Sequence, residues 1–166
     1  SSSTISTTTE AIEIAPIRLP TSIKPTHYDI DLNVFFKPYS NSPAISAERF
    51  EGKVKIHLTI EELNEKIYFH AHEKMKINKV ALQKETFQNI QIKYKRIENS
   101  EVFQVTVDGG AEKIEAGNYV LHIEYENDYG PASNLEGFYL TKYTEDSLVK
   151  SVVATKFEPQ HARKAL

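Results

Sequence analysis

Apolar and polar residues alternate most cleanly just after the proline-punctuated segment Arg18-Leu19-Pro20 to Pro25. Tyr28, Ile30, Leu32, Val34 and Phe36 fall on one face, with His27, Asp29, Asp31 and Asn33 on the other. A period of two over this length marks a half-buried strand. The alternation recurs with Val54, Ile56, Leu58 and Ile60 inward against Lys53, Lys55, His57 and Thr59. It returns in Tyr119, Leu121, Ile123 and Tyr125, after the turn residue Gly117. Shorter strands are predicted over 66–71, 77–83, 90–97, 102–107 and 137–143, and a β-branched run from Ser151 ends at Pro159. Turn signals lie at Pro38 to Pro43, at Asp108-Gly109-Gly110 and from Asn127 to Glu136. About nine strands at roughly ten-residue spacing, with no convincing 3.6 period, predict an all-β antiparallel sandwich or barrel. The shared alternation predicts that Tyr28, Ile30, Leu32, Val54, Ile56, Leu58, Leu121 and Ile123 form one core.

Composition narrows this picture. The 166 residues suit one domain or one domain with a tail, and 40% apolar residues, including 9 Tyr and 8 Phe, suffice for a core. A net charge of −3 argues against nucleic-acid binding, which needs clustered Lys and Arg. The absence of cysteine excludes disulfides, thiolate zinc sites and a thiol nucleophile. Residues Ser1 to Thr9 are Ser or Thr except for Ile5, so residues 1–16 are expected to form a disordered tail or an O-glycosylated stalk. Residues 17–166 are expected to form the β-domain. No apolar run is long enough for a membrane span, and membrane attachment is expected only through an anchor outside this chain.

His70-Ala71-His72-Glu73 is the first candidate for chemistry. Residues two apart on a strand share a face, so both imidazoles could reach one metal ion. A third ligand is missing unless the strand breaks at Glu73, and two partly exposed histidines at a strand end explain the pattern more simply. The chain has no His-Glu-x-x-His, no Gly-x-Ser-x-Gly and no phosphate-cradling glycine loop. The expectation is a chain that holds no metal and carries no catalytic residue of its own.

Five segments in order resemble the aminopeptidase N family of zinc metallopeptidases. They are Arg18-Leu19-Pro20 with Pro25 to Leu32, Phe50 to Ile56, Gly117 to Tyr125, Gly137 to Tyr143, and Thr155-Lys156-Phe157-Glu158-Pro159 with Ala162-Arg163. The resemblance implies a saddle-shaped β-domain preceding a thermolysin-like catalytic domain. In that family the Gly-x-Met-Glu-Asn segment, the zinc ligands and the general base lie beyond this domain. Zinc is thus implied for the parent enzyme and not for this chain, and His70 and His72 match no family ligand. The domain's own contribution is a Gln-x-Glu pair, whose glutamate helps bind the α-amino group of a peptide substrate and whose glutamine lines the first side-chain pocket. Glu158 matches the glutamate, but Lys156 stands where the glutamine belongs. If the strand stays extended to Phe157, Lys156 and Glu158 emerge on one face with Cα atoms about 6.6–7 Å apart. An ammonium beside Glu158 competes for its carboxylate and repels the substrate amine, so a neutral first residue should bind poorly. An acidic one could recover the loss by pairing with Lys156.

The resemblance makes the substrate a peptide N-terminus, bound jointly with a catalytic domain outside this chain. It implies an extracellular or cell-surface setting, with the cytoplasm as the alternative. A stand-alone β-domain that binds a protein partner is the competing function. A carbohydrate-binding module is a third, weakened by the absence of tryptophan.

Overall fold

The computed structural model describes residues 14–16, 18–38, 42–44, 48–109, 113–131, 133–158 and 161–165. Most of the expected tail, and Gly110 of the glycine turn, lie outside the described residues. Eleven strands are described: β1 Ile23–Phe35, β2 Arg49–Ile60, β3 Ile67–His70, β4 Lys76–Lys84, β5 Asn89–Ile90, β6 Ile92–Arg96, β7 Val102–Val107, β8 Gly117–Asp128, β9 Gly130–Pro131, β10 Gly137–Glu145 and β11 Leu148–Lys156. A single 3₁₀ turn, His161–Lys164, follows β11. The all-β class is therefore as expected, and the short parallel pairing of β9 with β10 is the exception to the antiparallel rule.

The strands form three sheets, ordered β1-β2-β8-β4-β5, β3-β7-β6 and β11-β10-β9. β2 and β8 form the spine of the large sheet, in register from Arg49↔Asp128 to Ile60↔Gly117. The second sheet covers this spine. Val54, Leu58, Leu82, Leu121 and Ile123 meet Ile67, Phe69, Phe103, Val105 and Val107 in one continuous core. Phe69 and Phe103 stack at 5.0 Å within the cover, and Phe50, Tyr129 and Phe138 form an aromatic cluster that joins the third sheet to the core.

Two expectations change. The predicted strand over 90–97 is two strands in different sheets: Ile90 pairs with Leu82, whereas Ile92 pairs with Val107. The chain crosses between sheets at Gln91, whose carbonyl accepts the Asp108 N–H at 2.9 Å. Alternation cannot reveal such a switch, because both halves keep the same period.

The predicted core also loses part of β1. Val54, Leu58, Leu121 and Ile123 are buried, and Ile56 is partly so. Tyr28, Ile30 and Leu32, however, remain 46%, 45% and 37% exposed. They do lie on the inward face, opposite Ile56, Val54 and Gly52. Yet β1 is the edge strand, and the three-stranded cover leaves its inner face open. Pro25, which has no N–H to donate, and the register shift between Pro25 and His27 suit this edge position. An open groove of about 620 Å³, lined in part by Tyr28, Ile56, Tyr68 and Arg163, runs beneath it.

Candidate functional site

The candidate site is built on the hairpin of β10 and β11. Its two-residue turn places Asp146 and Ser147 at φ 51° and 61°, the left-handed pair that matches strand twist. From there the ladder runs back from Glu145↔Leu148 to Gly137↔Lys156, where β11 ends. Lys156 is thus the last ladder residue, and Glu158 sits in the turn that follows. The His161 N–H closes this turn by donating to the Phe157 carbonyl at 2.7 Å. Both Lys156 and Glu158 are exposed, and among the described residues no ion pair joins them. An exposed pair of this kind is screened by water, so their mutual attraction is at most about 1 kcal/mol. Both charges therefore face solvent, one cationic and one anionic, on either side of Phe157.

The 3₁₀ turn behind Glu158 is held by a set of contacts that sequence reasoning missed. Lys164 Nζ donates to Glu136 Oε2, and this hydrogen bond holds the Glu136 carboxyl below its usual range. His161 Nε2 lies 3.8 Å from the other Glu136 oxygen. Arg163 Nη1 donates to Glu101 Oε2 at 2.7 Å, and the Arg163 carbonyl accepts the His72 N–H at 2.9 Å. Ala165 is fully enclosed in the core. Gly137, at φ 65°, allows the close approach: a Cβ there would lie 2.3 Å from Lys164 Cβ. The only advance signals were Ala162-Arg163 and Gly137, read as parts of a resemblance and not as partners.

The same contacts account for the histidine stretch. β3 ends at His70, so His70 and His72 do not continue along one strand face. Arg96 grips the segment after it: Nη1 donates to the Ala71 carbonyl at 3.0 Å, and Nη2 donates to those of His72 and Met75 at 3.1 and 3.3 Å. Its guanidinium lies 4.4 Å from the centre of the Phe103 ring. His72 Nε2 is 3.8 Å from Glu101 Oε1. Desolvation lowers the pKa of both the half-buried His72 and the more exposed His70, which favours neutral imidazoles. Among the described residues no three His, Cys, Asp or Glu side chains are grouped to hold a metal ion, so these residues do not fit a zinc centre.

Fold and site together define a β-domain that presents oppositely charged groups at the end of one strand. Comparison with known proteins gives the family. The family model "Peptidase M1 N-terminal domain" matches residues 24–166, and the chain belongs to this family. It is 32% identical over 149 residues to aminopeptidase A of Gloydius brevicauda, covering 89% of this chain and 14% of that protein. It is 31% identical over 160 residues to glutamyl aminopeptidase of Rattus norvegicus, covering 94% and 16%. With glutamyl aminopeptidase of Homo sapiens it is 28% identical over 155 residues, covering 89% and 14%. The chain thus spans only about a seventh of the length of these curated relatives.

Proposed function

We propose that this domain forms the amine- and side-chain-recognising wall of an M1-type zinc aminopeptidase that prefers an acidic N-terminal residue. Glu158 receives the α-ammonium of the peptide, and Lys156 pairs with the side-chain carboxylate of the first residue. The remainder of the protein supplies the zinc ion and the groups that cleave the peptide bond, and it packs against the apolar faces left open on this domain. An extracellular or cell-surface setting fits this reading.

The observation that carries the proposal is the exposed Lys156–Glu158 pair at the end of β11. A zwitterionic first residue with an acidic side chain offers an ammonium and a carboxylate a few ångströms apart. Two oppositely charged groups flanking one residue complement it, and the separation of positive from negative rejects the reverse orientation. A neutral first residue leaves Lys156 beside the substrate ammonium without compensation. The name glutamyl aminopeptidase among the relatives agrees with an acidic preference.

The test uses the intact protein that contains this domain. Hydrolysis of Glu-, Leu- and Ala-amide substrates is compared before and after Lys156→Gln. The expected result is a fall in kcat/KM for the Glu substrate by about tenfold to a hundredfold, with the Ala and Leu substrates unchanged or improved. A profile unmoved by the substitution refutes the role of Lys156.

A further inference from the structure

The turn that carries Glu158 is held at both ends by neighbouring residues, Gly137 at its start and Glu136 with Gly137 at its finish. At its start, Gly137 is the ladder partner of Lys156. At its finish, Glu136 takes the Lys164 ammonium, and the bare face of Gly137 receives the Lys164 side chain. Between these ends, the His161 N–H donates to the carbonyl of Phe157, the residue next to Glu158, at 2.7 Å. A second tie, Glu101 to Arg163, fixes the far side of the 3₁₀ turn to the connection between β6 and β7, at the residue just before β7. Both acidic residues are only about one-third exposed, so their pairing is less screened than that of the surface pairs elsewhere on the sheet.

From this geometry we infer that Glu136 is a positioning residue for substrate recognition. Its ion pair with Lys164 sets where the Glu158 carboxylate stands, although Glu136 itself touches no substrate. The inference rests on the proposed role of Glu158 and extends it to a residue twenty-two positions earlier in the chain. A carboxylate that must meet an ammonium within hydrogen-bond distance loses binding when its backbone is free to wander by an ångström. Without the Glu136 charge, the turn keeps its ladder anchor at Lys156 and loses the anchor at Lys164. Glu158 then samples positions from which it cannot reach the amine. The Glu101–Arg163 tie remains, so the domain stays folded while the turn loosens.

The experiment compares the full-length protein with three altered forms: Glu136→Gln, the charge exchange Glu136→Lys with Lys164→Glu, and Glu158→Gln. Amide hydrogen exchange over residues 157–165 reads the turn directly, and steady-state kinetics on a free-amine peptide read its consequence. Glu136→Gln is expected to speed exchange in that segment alone and to raise KM about fivefold, with kcat within a factor of two. The charge exchange is expected to restore both. Unchanged exchange in Glu136→Gln overturns the clamp whatever the kinetics. Faster exchange with unchanged KM, while Glu158→Gln raises KM, overturns the positioning role and leaves the reading of Glu158 intact. A Glu158→Gln form with unaltered KM overturns that reading, and this inference with it.

Discussion

At the scale of single residues, glycines and one buried hydroxyl show how tightly the strands approach. Gly52 lies opposite Tyr125, and a Cβ at Gly52 would fall 2.1 Å from the Tyr125 ring. The glycine makes room for the aromatic ring to lie across the sheet. The Tyr125 hydroxyl is buried with no hydrogen-bond partner among the described residues, and desolvation pushes its pKa up to about 12. Removing that oxygen takes away a desolvated polar group and little else. Tyr125→Phe should therefore change stability by between nothing and a gain of about 1 kcal/mol; a loss above 1 kcal/mol in urea unfolding would reveal a partner. Gly137→Ala meets two penalties at once, a left-handed backbone and the Lys164 side chain. It should cost about 1–3 kcal/mol, more than Gly109→Ala, where φ is 106° but the space is open. Equal thermal midpoints for the two variants would show that the Lys164 contact carries no weight.

At the scale of elements, β1 and β2 pair along their length but differ in what their apolar faces touch. Leu58 on β2 is 6% exposed and packs into the core, so Leu58→Ala should cost on the order of 2–5 kcal/mol. Ile30 on β1 faces the same way but is half open, and Ile30→Ala should cost only about 1 kcal/mol in the isolated domain. His57 faces outward, where its Nε2 lies 3.0 Å from Asp29 Oδ2, while His27 Nε2 lies 3.1 Å from Oδ1. Such exposed contacts are worth little, so His57→Ala should barely move the unfolding midpoint. Chemical denaturation of the three variants gives the order directly. If Ile30→Ala equals Leu58→Ala, β1 is covered in solution by something that seals its inner face.

At the scale of the whole molecule, stability should fall in two steps as the solution is acidified. His70, His72 and His122 each have a pKa below the usual 6.5, chiefly through desolvation. The unfolded chain then binds protons that the folded chain refuses, so stability is lost as pH falls from about 6.5 toward the depressed folded values. Asp29, Asp108, Glu126 and Glu136 have carboxyls lowered by hydrogen bonds to His57, Lys93, Lys76 and Lys164 respectively. Their contribution is present above the unfolded values of 3.8–4.5 and is lost as pH falls below that range. Thermal midpoints between pH 8 and pH 3 should show both steps. Replacing His70, His72 and His122 with Asn or Gln should flatten the first and leave the second, and a first step that survives the triple replacement would assign it to other groups.

Local pattern alone determined which segments are extended and which of their residues share a face, because side-chain direction alternates with every residue whatever surrounds the strand. The all-β class, the strands over 137–143 and from Ser151, and the outward placement of His57 were legible in this way. The order of five short motifs was likewise legible, since it is a property of the chain and needs no packing. Tertiary structure alone decided whether a face is covered. Tyr28, Ile30 and Leu32 show the same alternation as Val54 and Leu58, but the covering sheet stops short of the edge strand. It also decided where one alternating run divides between two sheets, as at Gln91. Above all it decided the surroundings of the candidate site. Glu101, Glu136, His72 and Lys164 come from separate parts of the chain and carry no mutual spacing, so only folding brings their charges within reach of one another.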